Sequence, residues 1–328
     1  MKKMRWGVLG VAKIATRKVI PAMQRASNGS VTAIASRQIE KAKEAAAELG
    51  IGKAYGSYED LLADADIDAI YNPLPNHLHV PWSIKAAEAG KHVLCEKPIG
   101  LSTAEAEQLM AVRDRTGVQI AEAFMVRTHP QWLRAREIVR SGEIGQLRTI
   151  QGFFSYFNRD PQNVRNNPNW GGGGVMDIGC YPITMSRFIF ESEPTRVSAL
   201  VENDPDFQVD RLASAILEFP NGQASFVSAT QIAPYQRMHI FGTTGRIEIL
   251  IPWNAPPDVP TRIIVEAGEE HVEEFPVCDQ YTIQAEEFTR SVNEKTNAPV
   301  PLEDSVKNMK VIEAVLRSGE SRRWEDVR

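Results

Sequence analysis

Cysteine is scarce: the 328 residues hold three, Cys95, Cys180 and Cys278, scattered without metal-ligand or disulfide-framework spacing. That excludes a disulfide-stapled secreted scaffold and fits a reducing cytoplasm. Runs of basic residues are also missing, and the formal net charge is −5, so neither nucleic acid nor an anionic membrane surface is expected as a partner. No apolar run approaches the roughly 18 residues a membrane span requires. The opening Met1-Lys2-Lys3-Met4-Arg5-Trp6 leads into an apolar stretch, Gly7 to Ala12, which Lys13 interrupts too early for a signal-peptide core. Repeats and low-complexity tracts are absent. What remains is ordinary soluble globular composition, 43% apolar and 24% charged, in a chain long enough for two domains.

The first half alternates short apolar runs with helical patterns. Arg5 to Leu9 reads as a strand, and Gly10-Val11-Ala12-Lys13-Ile14-Ala15 as the turn into a helix running to about Ser27. This is the spacing of a dinucleotide phosphate loop with alanines in the second and third glycine places, where small residues still allow close backbone approach. Helix amides would cradle a pyrophosphate there, with Lys13 and Ile14 beside it. A second strand, Ser30 to Ala35, ends in Ser36-Arg37, with Lys41 one helical turn on. An acidic residue at this strand end would read the ribose of NAD, whereas Ser36, Arg37 and Lys41 supply donors and positive charge for a 2′-phosphate, so NADP is the expected cofactor, with NAD possible.

Asp68 to Asn72 is a further apolar strand, followed by Pro73-Leu74-Pro75-Asn76-His77-Leu78-His79, in which two prolines force an extended loop and Asn76 is placed to cap the next helix. Pro73, Leu74, Asn76 and His79 are assigned to the cofactor site. His77 and His79 point to different faces of a helix and lack a third ligand nearby, so no metal is expected. His92-Val93-Leu94-Cys95-Glu96-Lys97-Pro98 reads as a buried strand delivering Glu96 and Lys97 to its carboxyl end, where open α/β sheets bind ligands. An isolated Glu-Lys pair there would be a solvated strand exit. After a capping box at Ser102 to Glu105 and a strand from Gln119 to Ala123, the alternation stops, which sets a cofactor domain at 1–124 and a second domain at 125–328.

The second domain reads as a helix from Pro130 to Ser141, then strand-like runs at Leu147 to Phe157, Arg196 to Val201, Leu212 to Phe219, Gln223 to Thr230, Met238 to Phe241, Arg246 to Ile251, Arg262 to Glu266 and His271 to Phe275. Helices return at Tyr281 to Asn293 and Leu302 to Ser318. The expected architecture is thus α/β: a doubly wound parallel sheet, then an α+β domain with a large, mostly antiparallel open sheet. Within the second domain, between the runs ending at Phe157 and beginning at Arg196, lies Arg165-Asn166-Asn167-Pro168-Asn169-Trp170, four glycines from Gly171 to Gly174, and Val175-Met176-Asp177-Ile178-Gly179-Cys180-Tyr181. Asp177 and Tyr181, four apart, would share a helix face that Gly179 leaves open for a ligand. The glycines alone could also be a flexible loop, and the Asp-Tyr pair a structural hydrogen bond.

Together, Gly10-x-Ala12-x-x-Ala15, Glu96-Lys97-Pro98, and Gly171-Gly172-Gly173 leading through Asp177 to Tyr181 resemble the glucose-fructose oxidoreductase, inositol dehydrogenase and rhizopine-catabolism family over essentially the whole chain. Many members carry histidine where Tyr181 stands, so the chain is similar to the branch with dihydrodiol dehydrogenase, NADP-dependent xylose dehydrogenase and glucose-fructose oxidoreductase. The resemblance implies a Rossmann domain, a second domain whose open sheet forms a dimer interface, and an active site between them. The expected protein is a cytoplasmic homodimer or homotetramer, its location read from the scarce cysteines and its assembly from a sheet face with too few helices to cover it, acting on a sugar or polyol. Hydride transfer from a carbinol needs a base at the hydroxyl, for which Tyr181 is the choice. A free phenol titrates near about 10, and a neighbouring Lys97 would stabilise the phenolate, while Asp177 orients the pair or the substrate. Arg127, Arg165, Trp170 and Tyr235 are further candidates for lining a hydroxyl-rich pocket. The alternatives are a trans-dihydrodiol dehydrogenase and a non-catalytic cofactor-binding regulator on the same fold, the latter disfavoured by the presence of both Lys97 and Tyr181.

Overall fold

A computed structural model describes residues 2–328 and divides into two compact units. One comprises Met1–Thr128 with Asp279–Val306, the other His129–Cys278 with Lys307–Arg328. The single boundary expected after residue 124 therefore misplaces residues 279–306. The helix Gln280–Glu294 carries an apolar stripe, Ala285 and Phe288 with Tyr281 and Val292 beside them, that is buried in the core of the first unit. Phe288 packs on Trp6 with ring centroids 5.3 Å apart. A periodic stripe tells that a face is buried but not against which sheet.

The first unit is built on β1 (Met4–Leu9), β2 (Gly29–Ala35), β3 (Lys53–Tyr55), β4 (Ala69–Asn72), β5 (His92–Cys95) and β6 (Ile120–Glu122). They form one parallel sheet in the order β3-β2-β1-β4-β5-β6. This is the doubly wound arrangement expected, in which the chain reverses direction across the sheet beside β1 and ligands bind at the carboxyl ends of the strands. β4 and most of β5 are buried because helices cover both faces, so these strands read as unbroken apolar runs. The first helix is shorter than expected. A widened turn, Ala15–Val19, precedes a regular segment, Ile20–Arg25, that includes Pro21. Pro21 has no N–H for the carbonyl one turn back, and its ring would crowd that carbonyl, so a wider turn accommodates it.

The second unit contains β7 (Leu147–Phe157), β8 (Arg196–Asn203), β9 (Asp210–Phe219), β10 (Gly222–Ala229), β11 (Gln231–Gly242), β12 (Arg246–Ile249), β13 (Thr261–Ala267), β14 (Glu269–Phe275) and β15 (Glu325–Asp326). These make a nine-stranded sheet, antiparallel except where β7 lies parallel to β10. The alternation in β9 is clear: Ala213, Ala215, Leu217 and Phe219 are buried, while Ser214 and Ile216 are exposed. On the buried side the helix Cys180–Phe190 packs on β7 and β10, and Gly319 of the helix Leu302–Ser321 approaches Val201. On the opposite side Leu200, Ile216 and Tyr235 lie exposed. No helix among the described residues is long and apolar enough to cross a membrane.

Candidate active site

In the first unit, Gly10 follows β1 with φ +85°, a left-handed conformation that glycine tolerates and other residues rarely adopt. A Cβ here would stand 3.0 Å from Leu74 Cδ2 and 3.6 Å from the Tyr58 hydroxyl. The tight turn is anchored by Gly10 N–H donating to the Ala35 carbonyl at 2.7 Å. Ala12 and Ile14 pack against the core as the chain enters the helix, and Lys13 is exposed beside them. This cradle fits the pyrophosphate of a dinucleotide.

At the end of β2, Ser36 is buried and its Oγ accepts the N–H of Gln38 at 3.3 Å, while Arg37 and Lys41 are exposed. The Arg37 guanidinium reaches the Tyr58 hydroxyl, and burial raises that phenol despite the cation beside it. Tyr58 is a residue that sequence reasoning missed: it opens the short helix Tyr58–Ala63, capped by Ser57, and its hydroxyl faces both the glycine turn and Arg37. An aromatic at a helix start, 21 positions beyond Arg37, carries no local signal of that meeting.

The loop after β4 is held from within. Asn72, fully buried, donates from Nδ2 to the His79 carbonyl at 3.0 Å and to Ser83 Oγ at 3.1 Å, and its Oδ1 accepts the Leu74 N–H at 3.3 Å. Asn76 does not cap the helix His79–Glu88, whose N-terminal flanking residue is Leu78; Asn76 instead opens a short 3-10 turn, Asn76–Leu78. His79 is also not a cofactor-facing group. It is 1% exposed, with Nδ1 2.7 Å from the Pro98 carbonyl and Nε2 2.7 Å from the Leu74 carbonyl. Burial pushes its pKa down to about 4 while the two carbonyls pull it up, and the ring, wedged between them, spans the loops after β4 and β5. Beyond β5, Glu96 and Lys97 are half-buried, and Glu96 Oε1 accepts from the Tyr71 hydroxyl at 2.6 Å. Arg127 is tied to Asp304 at 2.9 Å, so part of the charge offered to a substrate is engaged by a carboxylate at the start of the helix Leu302–Ser321.

In the second unit the glycine stretch is a folded turn. The 3-10 segment Pro168–Trp170 ends at Gly171, φ +77°, with Trp170 38% exposed. Asp177 lies in a widened turn, Val175–Gly179, that leads into the helix Cys180–Phe190 carrying Tyr181. Asp177 Oδ2 accepts the Tyr156 hydroxyl at 2.6 Å and faces Arg165 Nε at 2.7 Å. The Asp177 carboxylate raises the Arg165 guanidinium further, and burial with the same carboxylate raises the Tyr156 phenol, so the trio is held as anion, cation and neutral donor. Tyr156 was not among the expected residues; it comes from β7, 21 residues before Asp177. Tyr181 sits in an aromatic wall, with ring centroids 5.8 Å from Phe154 and 5.7 Å from Trp253.

Two expectations for this unit change. Gly179 does not leave a face open: a Cβ there would meet Ser228 Oγ at 3.2 Å and Phe226 at 3.4 Å, so its smallness lets the turn approach β10. Tyr235 does not join the trio. It is 51% exposed and packs edge-on against Phe153, whereas Tyr181 packs on Phe154; successive residues of β7 point to opposite faces, which places Tyr235 on the open side of the sheet.

Comparison with known proteins agrees with this geometry. Residues 4–124 match the oxidoreductase family with an NAD-binding Rossmann fold, and residues 132–248 match the GFO/IDH/MocA C-terminal domain. The chain is 47% identical to an uncharacterized oxidoreductase of Rhizobium meliloti, each covered over 100% of its length. It is 39% identical to a D-xylose 1-dehydrogenase (NADP(+)) of Haloferax volcanii, over 97% of this chain and 98% of that one. Among solved structures it is similar to an aldose-aldose oxidoreductase of Caulobacter crescentus complexed with glycerol, with a TM-score of 0.91 and 26% identity over 99% of this chain and 100% of the other. With both of its domains matched in this way, the chain is an NAD(P)-dependent oxidoreductase of the GFO/IDH/MocA family.

Proposed function

We propose that this enzyme uses NADP and moves hydride between the nicotinamide and the carbinol or carbonyl carbon of a free sugar or similar polyol, in the manner of an aldose dehydrogenase. The carrying observation is the Asp177 trio one turn from Tyr181. A carboxylate held by Tyr156 and Arg165 presents a preorganised polar surface of the kind that recognises vicinal hydroxyls. The names of the xylose dehydrogenase and the aldose-aldose oxidoreductase support the same substrate class. Support for NADP comes from the end of β2, where Ser36 and Arg37 stand in the place of an acidic ribose reader and the Arg37 guanidinium reaches Tyr58.

A bound nicotinamide supplies the hydride acceptor. Tyr181 takes the hydroxyl proton, Lys97 favours its phenolate form, and Asp177 orients the substrate. The open side of the second unit's sheet, with Leu200, Ile216 and Tyr235 exposed, supports a homo-oligomer that covers it. The test is absorbance at the nicotinamide band while aldoses, polyols and dihydrodiols are offered with NADP+ and with NAD+. Turnover of an aldose with NADP+ is expected. Turnover confined to dihydrodiols, or none with any carbinol, overturns the substrate class.

A further inference from the structure

Four consecutive glycines, Gly171 to Gly174, precede the turn that carries Asp177, and their physical reason lies outside the catalytic trio. Gly173 has φ +119°, and a Cβ built on it would stand 2.1 Å from Asp210 Oδ1. A Cβ on Gly174 would stand 3.1 Å from Asp210 Oδ2. The space that side chains would fill is occupied by a carboxylate delivered from the first residue of β9. That carboxylate is 6% exposed as a residue and accepts the Val175 N–H at 2.7 Å, with the Gly174 and Asp210 amides also directed at it. The Gly173 carbonyl in turn accepts the Asp177 N–H at 3.0 Å, so the chain from Asp210 to Asp177 is continuous through one turn of backbone.

We infer that Asp210 is a positioning residue: its carboxylate seats the glycine turn and thereby fixes where Asp177 meets Arg165 and Tyr156. The energetics favour this over a passive cap. A carboxylate buried in so little water is costly unless several donors converge on it, and here the donors are backbone amides that only glycines bring close enough. Such an arrangement locates the backbone within tenths of an ångström. A substrate-orienting group misplaced by about 1 Å loses on the order of 10²-fold in rate. Asp210 takes no part in the hydrogen bond and ion pair of the trio and belongs to the second unit, whereas the phosphate loop belongs to the first, so its effect should fall on turnover rather than on cofactor binding.

The inference rests on Asp177 and Tyr181 serving the sugar, and the experiment separates the two ideas by measuring Tyr181→Phe alongside Asp210→Asn. Asp210→Asn keeps the volume but places an amide where a carboxylate accepted N–H groups. Expected is a fall in kcat of about tenfold or more, with a smaller change in KM and NADPH binding by fluorescence within about twofold of the unaltered enzyme. Gly174→Ala, at an ordinary helical φ of −69°, pushes the same carboxylate by a few tenths of an ångström and should lower kcat in the same direction by less. If Asp210→Asn does not fold, Gly174→Ala carries the test. Undiminished kcat in whichever of these folds, with Tyr181→Phe inactive, overturns the role of Asp210 and leaves the site assignment standing. Full activity of Tyr181→Phe overturns the site assignment and this inference with it. A parallel loss of NADPH affinity and kcat in Asp210→Asn overturns the positioning role in favour of general damage to the fold.

Discussion

Tyr71 donates its hydroxyl hydrogen to Glu96 Oε1 at 2.6 Å, joining β4 to the residue that precedes Lys97. Tyr71 is fully buried, and burial together with the Glu96 carboxylate raises the phenol well above its ordinary range, so it remains a donor throughout the working pH range. Glu96 Oε2 also receives the Lys97 N–H at 3.3 Å. Tyr71→Phe should therefore deprive a half-buried carboxylate of a hydroxyl donor and cost about 2 kcal/mol of stability, the usual range for a hydrogen bond to a charged group. Denaturant unfolding at neutral pH checks this, and an unchanged midpoint would show that the bond carries no net stability.

The cofactor preference depends on charge at the end of β2. Replacing Arg37 by aspartate removes a cation that reaches Tyr58 and puts an anion where a 2′-phosphate would lie. NADPH should bind more tightly than NADH to the unaltered enzyme, and the variant should reverse the order. Fluorescence titration with both nucleotides decides, and tighter NADH binding before any substitution would refute the assignment.

Assembly is checked on the open face. Leu200 is 64% exposed on β8 and Ile216 44% exposed on β9, and both project from the side that helices leave bare. The double variant Leu200→Glu with Ile216→Lys should convert an oligomer into a monomer in light scattering, while far-ultraviolet dichroism stays unchanged. A monomer at micromolar concentration without any substitution would mean the face is covered by something other than a second copy.

Much of this was legible because the chain repeats simple signals. Central strands such as His92–Cys95 are covered on both sides and so read as apolar runs, and β9 alternates because one side is bare. β3, three half-buried residues at a sheet edge, has too little pattern to read. Lys97, Asp177 and Arg165 could be named from motif and chemistry. Tyr156, Tyr71 and Tyr58 could not, because each acquires meaning from a partner more than 20 residues away. His79 was misjudged for the converse reason: its position after β4 suggested a ligand, yet two main-chain carbonyls had already engaged both ring nitrogens.

Asp210 should leave a mark on stability as a function of pH. Burial raises its pKa to about 6 in the folded chain, above the 3.8 of a free aspartate, with Asp177 adding repulsion and the backbone amides opposing the rise. Between about pH 4 and pH 6 the unfolded chain gives up this proton while the folded chain keeps it, so the group's contribution to stability falls as pH rises. The fall totals about 3 kcal/mol at about 1.4 kcal/mol per unit of pKa difference. Other groups titrate in the same window: His79 and His129, both held near about 4, change stability in the opposite direction. The difference between the unaltered enzyme and Asp210→Asn cancels them. That difference should decline from pH 4 to pH 6 and then level, and denaturant midpoints at pH 4, 5, 6 and 7 would expose a flat profile if the carboxylate is not raised.

The proton transfer gives the strictest test, because Lys97 and Tyr181 come from different units of the chain and are assigned to a single chemical step. Tyr181→Phe keeps the ring and its packing on Phe154 and Trp253 but deletes the proton acceptor, so kcat should fall on the order of 10² or more. Lys97→Ala should do similar damage. It should also move the rise of the oxidation rate with pH to higher pH, since a phenol without a cation beside it gives up its proton less readily. NADPH affinity should change far less than kcat in the tyrosine variant, whose side chain belongs to the second unit. The two losses should not add: groups that serve one transfer act as a unit, so the double variant should be little slower than the slower single one. Additive losses would mean that the lysine and the tyrosine serve separate steps, and an undiminished rate in Tyr181→Phe would remove the tyrosine from the chemistry altogether.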